Sequence, residues 1–471
     1  MHETESAGSL WRHRDFMLLW GGQSVSLIGA QVTVLALPLL ATLTLHASTL
    51  QVALLTSFST LPWLLFSLPA GVIVDRSRKR EVMLWCDVAR FAVLCTVPVA
   101  GALGALSLVQ LYAVALVSGT LAVLFNSAYL SFPGILLTKA QLVDANGKVS
   151  TASAAAGVIG PSSAGFLVAL VGAATAVTAD AASYLVSAGG LLLVRFREPR
   201  PAPKPASDRG FRRELSAGLR IIVADRILTF VTISNSLGNF LLAAISSVWV
   251  LYAVRDLGWS AQTVGLVGGI SAVGGVIGSL IAKPLIRRYG LVRVLLFSPV
   301  PFAPGQIVAG YVLPGVHGQI TVTIGFTVTL ASALTYNIAQ RSYRMASCPP
   351  GMLGRLNATA SWLQWGLRPL AGVAGGALGT ALGLRPTVLL FAWLLPSVAV
   401  ILWLSPLRKD RGTEGRESAP PAPAMSGATG GGRGSAVFGE RELPAADTAA
   451  QAPRLDRSGG QPRPHRPGQG T

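Results

Sequence analysis

The chain reads as an all-α polytopic membrane protein with twelve transmembrane helices arranged as two six-helix bundles. Three observations predict this. The 471 residues are 51% hydrophobic and only 12% charged, with a mean hydropathy of +0.55, a balance foreign to an ordinary soluble domain. Apolar runs of twenty residues or more recur along the chain, each long enough to cross a bilayer core. A basic segment after the second run, Gly71 to Arg80, is echoed by Lys283 to Arg293 in the second half, which implies two halves of similar plan.

The elements follow in order. Residues 1–15 form a short polar N-terminus, and span 1 is expected over 16–43. Spans 2 to 6 follow at 49–74, 82–104, 107–134, 149–171 and 174–194, which closes a first bundle over 16–194. The turns between them are short and nearly uncharged on one side, as at His46-Ala47-Ser48 and Gly172-Ala173. Residues 195–227 form a linker in which Pro199, Pro201, Pro203 and Pro205 forbid a helix at the start. Further on, Phe211, Leu215, Leu219 and Ile222 fall on one face, which predicts an amphipathic helix lying on the membrane surface. Spans 7 to 12 are expected at 228–253, 260–282, 291–314, 319–338, 357–383 and 386–407, giving a second bundle over 228–407. The tail, 408–471, is rich in Pro, Gly, Ser, Ala and Arg and reads as disordered.

A net charge of +18 raises the question of nucleic acid. The cations answer it by where they lie. Outside the tail nearly all fall in loops of one side, with Arg255 and Arg385 on the other side and Arg90 and Arg368 inside spans. That is the positive-inside pattern, so both termini are expected in the cytoplasm, the chain in the cell membrane, and no nucleic-acid partner. Cys86, Cys95 and Cys348 read as small apolar fillers, not a disulfide framework, and the first apolar run reads as a retained span, not a cleaved leader. His2, His13, His46, His317 and His465 form no metal-like cluster, and no phosphate-cradling Gly-rich loop ending in Lys-Ser/Thr is present. No metal, cofactor or enzymatic activity is expected.

The segment Gly71-Val-Ile-Val-Asp75-Arg76-Ser-Arg78-Lys79-Arg80 ends span 2 with one carboxylate and four cations. It resembles the loop between spans 2 and 3 of the major facilitator superfamily, Gly-x-x-x-Asp-Arg-x-Gly-Arg-Arg. The match falls at Gly71, Asp75, Arg76, Lys79 and Arg80, with Arg78 where Gly is usual. In the second copy Arg287 stands where the acid would be. The resemblance implies alternating access, with this loop helping to hold the outward-facing state by bridging the halves at the cytoplasmic side. Asp87 and Arg90, three residues apart near the start of span 3, read as a local pair supporting that loop.

Four further places resemble the branch holding the enterobactin exporter and the macrolide efflux proteins: the stretch 10–36 with Arg14-Asp15-Phe16, Asp180-Ala-Ala-Ser183-Tyr184, Ala217-Gly-Leu-Arg220, and Gln340-Arg341 followed by Gly354-Arg-Leu-Asn357. In span 5, Gly157, Gly160, Pro161 and Gly165 resemble the Gly-Pro motif of antiporters. Asp180 in span 6 and Arg368 in span 11 are intramembrane charges, costly unless they face a partner or a wet cavity, and so are candidates for coupling. Ala30 occupies a position where related exporters carry an acid, which leaves Asp180, Asp75 and Asp87 to titrate if protons drive transport.

In this superfamily the path is lined by spans 1, 4, 7 and 10. Here these offer Gln23, Gln31, Asn126, Tyr129, Asn235, Asn239, Trp249, Tyr336 and Asn337 amid apolar side chains, a lining suited to a bulky amphipathic solute. The expected function is proton-coupled efflux of a hydrophobic or amphipathic small molecule by a monomer, in contact with lipid and exchanging protons. An exporter of a siderophore or other self-made metabolite is the alternative within transport, and a transporter-like membrane sensor the alternative outside it.

Overall fold

The computed structural model describes residues 10–196, 198, 211–348 and 352–408. The expectations for residues 1–9, the proline-rich start of the linker and the tail from 409 onward lie outside these residues. Helix α1 (Arg14–Leu39) begins under a cap from His13, whose Nδ1 accepts from the Phe16 N–H at 3.2 Å, and ends in a π turn, Leu40–Thr44. Helix α2 (Thr49–Asp75) starts in a capping box: Gln51 Oε1 accepts from the Ser48 N–H at 2.8 Å, and Ser48 Oγ accepts from the Gln51 N–H at 3.4 Å.

Helices α3 (Lys79–Ala102) and α4 (Leu108–Ser131) follow the expected spans, and a short α5 (Pro133–Leu136) trails the latter. Helix α6 (Lys139–Val171) starts ten residues before the expected span, since Thr138 and Gln141 form a second capping box that sets its N-terminus. Helix α7 (Ala173–Leu193) completes the first bundle. The linker helix α8 (Phe211–Ala224) forms where the amphipathic pattern places it and packs against its neighbours in sequence and space. Its Ile222 is buried, and the Ile222 carbonyl accepts from the Thr229 hydroxyl at 2.7 Å.

The second bundle has α9 (Arg226–Arg255), capped by Asp225, and α10 (Ala261–Tyr289), capped by Ser260. Span 9 is broken into α11 (Leu291–Phe297) and α12 (Phe302–Tyr311), because Pro299 and Pro301 cannot continue a helical ladder. Helix α13 (Val316–Ser347) is long and unbroken. The expected span 357–383 is two helices in series, α14 (Leu353–Gly366) and α15 (Arg368–Leu382), parted at Leu367. Pro369 causes the break, since it has no N–H to donate backward and its ring excludes the carbonyl four residues before it. Helices α16 (Leu384–Leu394) and α17 (Pro396–Trp403) part at Pro396 for the same reason.

Eleven helical stretches among the described residues are long and apolar enough to cross a membrane. The pair α14 and α15 occupies the twelfth place. The two bundles touch along two seams, α6 against α10 and α2 against α15. Both seams are built from small residues. A Cβ on Gly165 of α6 would fall 2.7 Å from the Ala261 carbonyl oxygen and 2.9 Å from the Cα of Gly265, so only hydrogen fits there. On the other seam a Cβ on Gly376 would fall 2.7 Å from the Ala53 side chain. These contacts lie toward the end of the molecule that carries the short turns. There, too, Arg255 Nη2 donates to the Ala47 carbonyl at 2.8 Å and ties the second bundle to the first.

Candidate functional site

A cavity of about 340 Å³ lies between the bundles. Thr56 and Thr60, one turn apart on α2, face Asn235 and Asn239, one turn apart on α9. Ser246 of α9, Phe302 of α12, Tyr336 and Asn337 of α13, and Arg368 at the first position of α15 complete the polar and aromatic part of its wall. The amides hold one another: Asn235 Nδ2 donates to Gln364 Oε1 at 3.3 Å, and Gln364 Nε2 donates to Asn239 Oδ1 at 3.2 Å. Asn239 Nδ2 in turn donates to the Asn235 carbonyl at 2.9 Å. Arg368 lies with its Cζ 3.9 Å from the Trp365 ring centroid, and Trp365 stacks on Trp63 of the first bundle at 5.1 Å.

Asn235, Asn239, Tyr336 and Asn337 therefore line the cavity as the sequence reading expects of the path, and Arg368, expected only as an intramembrane charge, joins them. Gln23, Gln31, Asn126, Tyr129 and Trp249 are not among the residues lining this cavity. Gln31 instead packs on Gly160, filling the space its missing side chain leaves between α1 and α6. Tyr129 is buried beside Phe125, and Trp249 sits among Tyr252, Trp259 and Phe326 inside the second bundle. Expected from spans 1, 4, 7 and 10, the wall comes from α2, α9, α12, α13 and α15, because the seam of α2 with α15 brings these two helices to the centre.

Asp180 and Arg368 do not meet. Asp180 is 1% exposed inside the first bundle. Its carboxylate accepts from the Thr33 hydroxyl of α1 and, at 3.4 Å, from Ser183 Oγ. Gly29 makes the approach of α1 possible, since a Cβ there would fall 2.7 Å from the Ser183 Cβ. Asp87 and Arg90 are also buried, and they do not form the local pair expected of them. The Arg90 guanidinium lies 5.5 Å from the Phe125 ring centroid and 5.1 Å from that of Tyr184, where cation–π attraction holds it. Both Asp87 carboxylate oxygens are buried without a hydrogen-bond partner, with Ser187 and Arg90 the polar groups that face them. Arg90 acts on Asp180 as well. Two carboxylates and one guanidinium thus share one apolar enclosure, and the pair belongs with Asp180 rather than with the basic loop.

The basic loop is fastened to the end of α7. Arg80 donates from Nε to the Leu191 carbonyl at 2.8 Å and from Nη2 to the Leu192 carbonyl at 3.0 Å. Glu198 accepts from the Arg80 backbone N–H at 3.2 Å and from Lys79 Nζ at 3.5 Å. Arg78 pairs with Glu81 at 2.7 Å. Asp75 and Arg76 are exposed at the end of α2, and Gly71 has open space where a Cβ would stand. In the Gly-Pro motif, Gly157 likewise has open space, Gly160 receives Gln31, and Pro161 and Gly165 meet Gly265 of α10.

Sequence reasoning missed Thr56, Thr60, Gln364, Thr33 and Glu198. The i, i+4 spacing of Thr56 with Thr60 puts the pair on one helix face, a signal that was present. Glu198 had none, because its role depends on where the chain turns after α7.

The comparisons agree with this architecture. The chain is 28% identical over 163 residues to the uncharacterized MFS-type transporter YfnC of Bacillus subtilis, covering 35% of this chain and 38% of that protein. It is 26% identical to the enterobactin exporter EntS of Shigella dysenteriae, over 79% of this chain and 84% of that one. Macrolide efflux protein A of Streptococcus pyogenes is 22% identical over 82% and 94% of the two chains. Among solved structures, nucleoside transporter NupG superposes with a TM-score of 0.67 at 14% identity, covering 83% of this chain and 98% of that one. A bacterial homologue of the iron transporter ferroportin in its inward-facing state also gives 0.67, at 17% identity and with the same coverage. The family described as the Major Facilitator Superfamily matches residues 19–364, and the chain belongs to it: a membrane-embedded transporter of small molecules.

Proposed function

We propose that the chain is a secondary active exporter of a hydrophobic or amphipathic small molecule, driven by proton antiport, in the cell membrane with both termini cytoplasmic. The central cavity carries the reading. Its wall mixes apolar side chains with amides and hydroxyls placed to orient a guest, and it lies between two bundles that can tilt about it. The efflux function of the exporter relatives, EntS and macrolide efflux protein A, supports the direction. With the basic loops facing the cytoplasm, the small-residue seams and the Arg255–Ala47 contact close the outer end, so this conformation faces inward. Arg80 and Lys79 are held within the first bundle here. The bridge between halves expected of their loop then belongs to the outward-facing state.

The buried group of Asp87, Arg90 and Asp180 is the coupling site in this reading. With both carboxylates ionised it carries an excess negative charge in a low-dielectric enclosure, and binding one proton removes it. The test is accumulation of N-phenyl-1-naphthylamine and, separately, of 8-anilino-1-naphthalenesulfonate in proteoliposomes of the full chain, with and without a proton gradient and with a protonophore. Gradient-dependent accumulation that the protonophore abolishes is expected. Accumulation indifferent to the gradient sinks proton coupling, and absence of any flux sinks the exporter.

A further inference from the structure

We propose that the exported molecule carries an anionic group, and that Arg368 is the residue that binds it. This deepens the exporter reading and rests on the same cavity. A guanidinium keeps its charge in any protein environment, so its burial in a membrane helix has to be compensated by something. The protein supplies only part of that. Arg368 Nε is buried without a hydrogen-bond partner, no Asp or Glu lines the cavity, and among the described residues Arg368 is in no ion pair.

The surroundings hold the cation in place without neutralising it. Trp365 lies under the guanidinium, backed by Trp63 from the opposite bundle. Stacking of this kind fixes the plane of the group and leaves its N–H edge for a planar acid or a sulfonate. The nearby amides, Asn235, Asn239 and Gln364, spend their polar atoms largely on one another and offer no charge. The rest of the wall sets the uncharged hydroxyls of Thr56, Thr60 and Ser246 beside Phe302, Leu242 and Leu330. One fixed cation in a chamber otherwise lined by uncharged polar and apolar side chains selects an amphipathic anion, with its ring system against the apolar side chains and its acid on Arg368. A neutral guest of the same shape leaves the guanidinium unpaired, which is the costly outcome.

The experiment uses two dyes with the same ring skeleton, 8-anilino-1-naphthalenesulfonate and its uncharged counterpart N-phenyl-1-naphthylamine. Equilibrium binding to the full chain in nanodiscs is measured with empty nanodiscs subtracted. The native protein is expected to bind the sulfonate about tenfold more tightly than the neutral dye. Arg368→Gln should remove that preference by weakening sulfonate binding about tenfold, and Arg368→Lys should retain most of it. Should Arg368→Gln fail to fold, the native preference and the Arg368→Lys variant still decide. A native protein with no preference for the sulfonate overturns the proposal. So does loss of both dyes together in a folded Arg368→Gln, which would make the side chain a structural support. Binding needs no gradient, so failure here leaves the proton-driven export test standing, and failure of that test leaves this one.

Discussion

Arg80 Nε donates to the Leu191 carbonyl oxygen at 2.8 Å, so the loop after the second membrane helix is pinned to the last turn of the sixth. An end-of-helix carbonyl has no partner within its own helix, and a cation there is favoured by the helix dipole as well. The contact explains why a basic residue stands at that position even in the state whose closure is at the far end.

Arg80→Ala should therefore loosen the loop without unfolding the bundle. Efflux in inside-out vesicles is expected to fall about tenfold, the factor that a coupling of ~1.4 kcal/mol represents, with the amount of protein in the membrane unchanged. Asp75→Ala should act in the same direction. Native efflux from both variants would remove the loop from the mechanism.

The buried charges predict a split between two assays. Asp180→Asn and Asp87→Asn should each abolish uphill accumulation, while counterflow of substrate against substrate, which needs no proton, persists. Thr33→Val removes the hydroxyl that Asp180 accepts from and should weaken uphill accumulation only in part. Equal loss of uphill transport and counterflow in both Asn variants would show that the carboxylates serve folding.

Gly165→Val places a branched side chain where 2.7 Å separates a Cβ from the Ala261 carbonyl oxygen. Overpacking of this kind costs about 1–3 kcal/mol, and the cost falls on the conformation in which α6 and α10 touch. With the native cysteines replaced by alanine and Thr60→Cys as reporter, a membrane-impermeant thiol reagent added from outside should react faster in Gly165→Val. An unchanged rate would mean that the seam yields without opening the cavity.

Orientation is testable in the same background. Arg200→Cys should be reached by the reagent only after cells are opened, and His317→Cys, at the start of α13, from outside intact cells. The reverse pattern would invert the topology.

Much of the fold was legible because hydropathy and turn chemistry agree over long stretches. The start of α2 at Ser48 and Gln51, the cap at Asp225, and the amphipathic linker helix all follow from local rules that the tertiary structure does not override. The breaks in spans 9, 11 and 12 sit at Pro299, Pro301, Pro369 and Pro396, whose positions were visible but whose effect in membrane helices depends on what the neighbours supply. The site was only half legible. Asn235, Asn239, Tyr336 and Asn337 sit where the periodicity of α9 and α13 directs them. Gln31 and Trp249 were misplaced because a polar or amphipathic side chain satisfies a gap in packing as readily as it lines a path. The grouping of Asp87 and Arg90 with Asp180 depends on how α3 and α7 pack, which no spacing within α3 reveals.

The glycine seams have a mechanical consequence. Where Gly165 faces Gly265, the mating surfaces have no knobs to withdraw and no rotamers to freeze, so almost no side-chain entropy is lost on contact or regained on parting. Such a surface behaves as a bearing more than as a latch. Grip is left to a few polar ties such as Arg255 on Ala47, and a protein closed in this way can reopen without first melting its own interface.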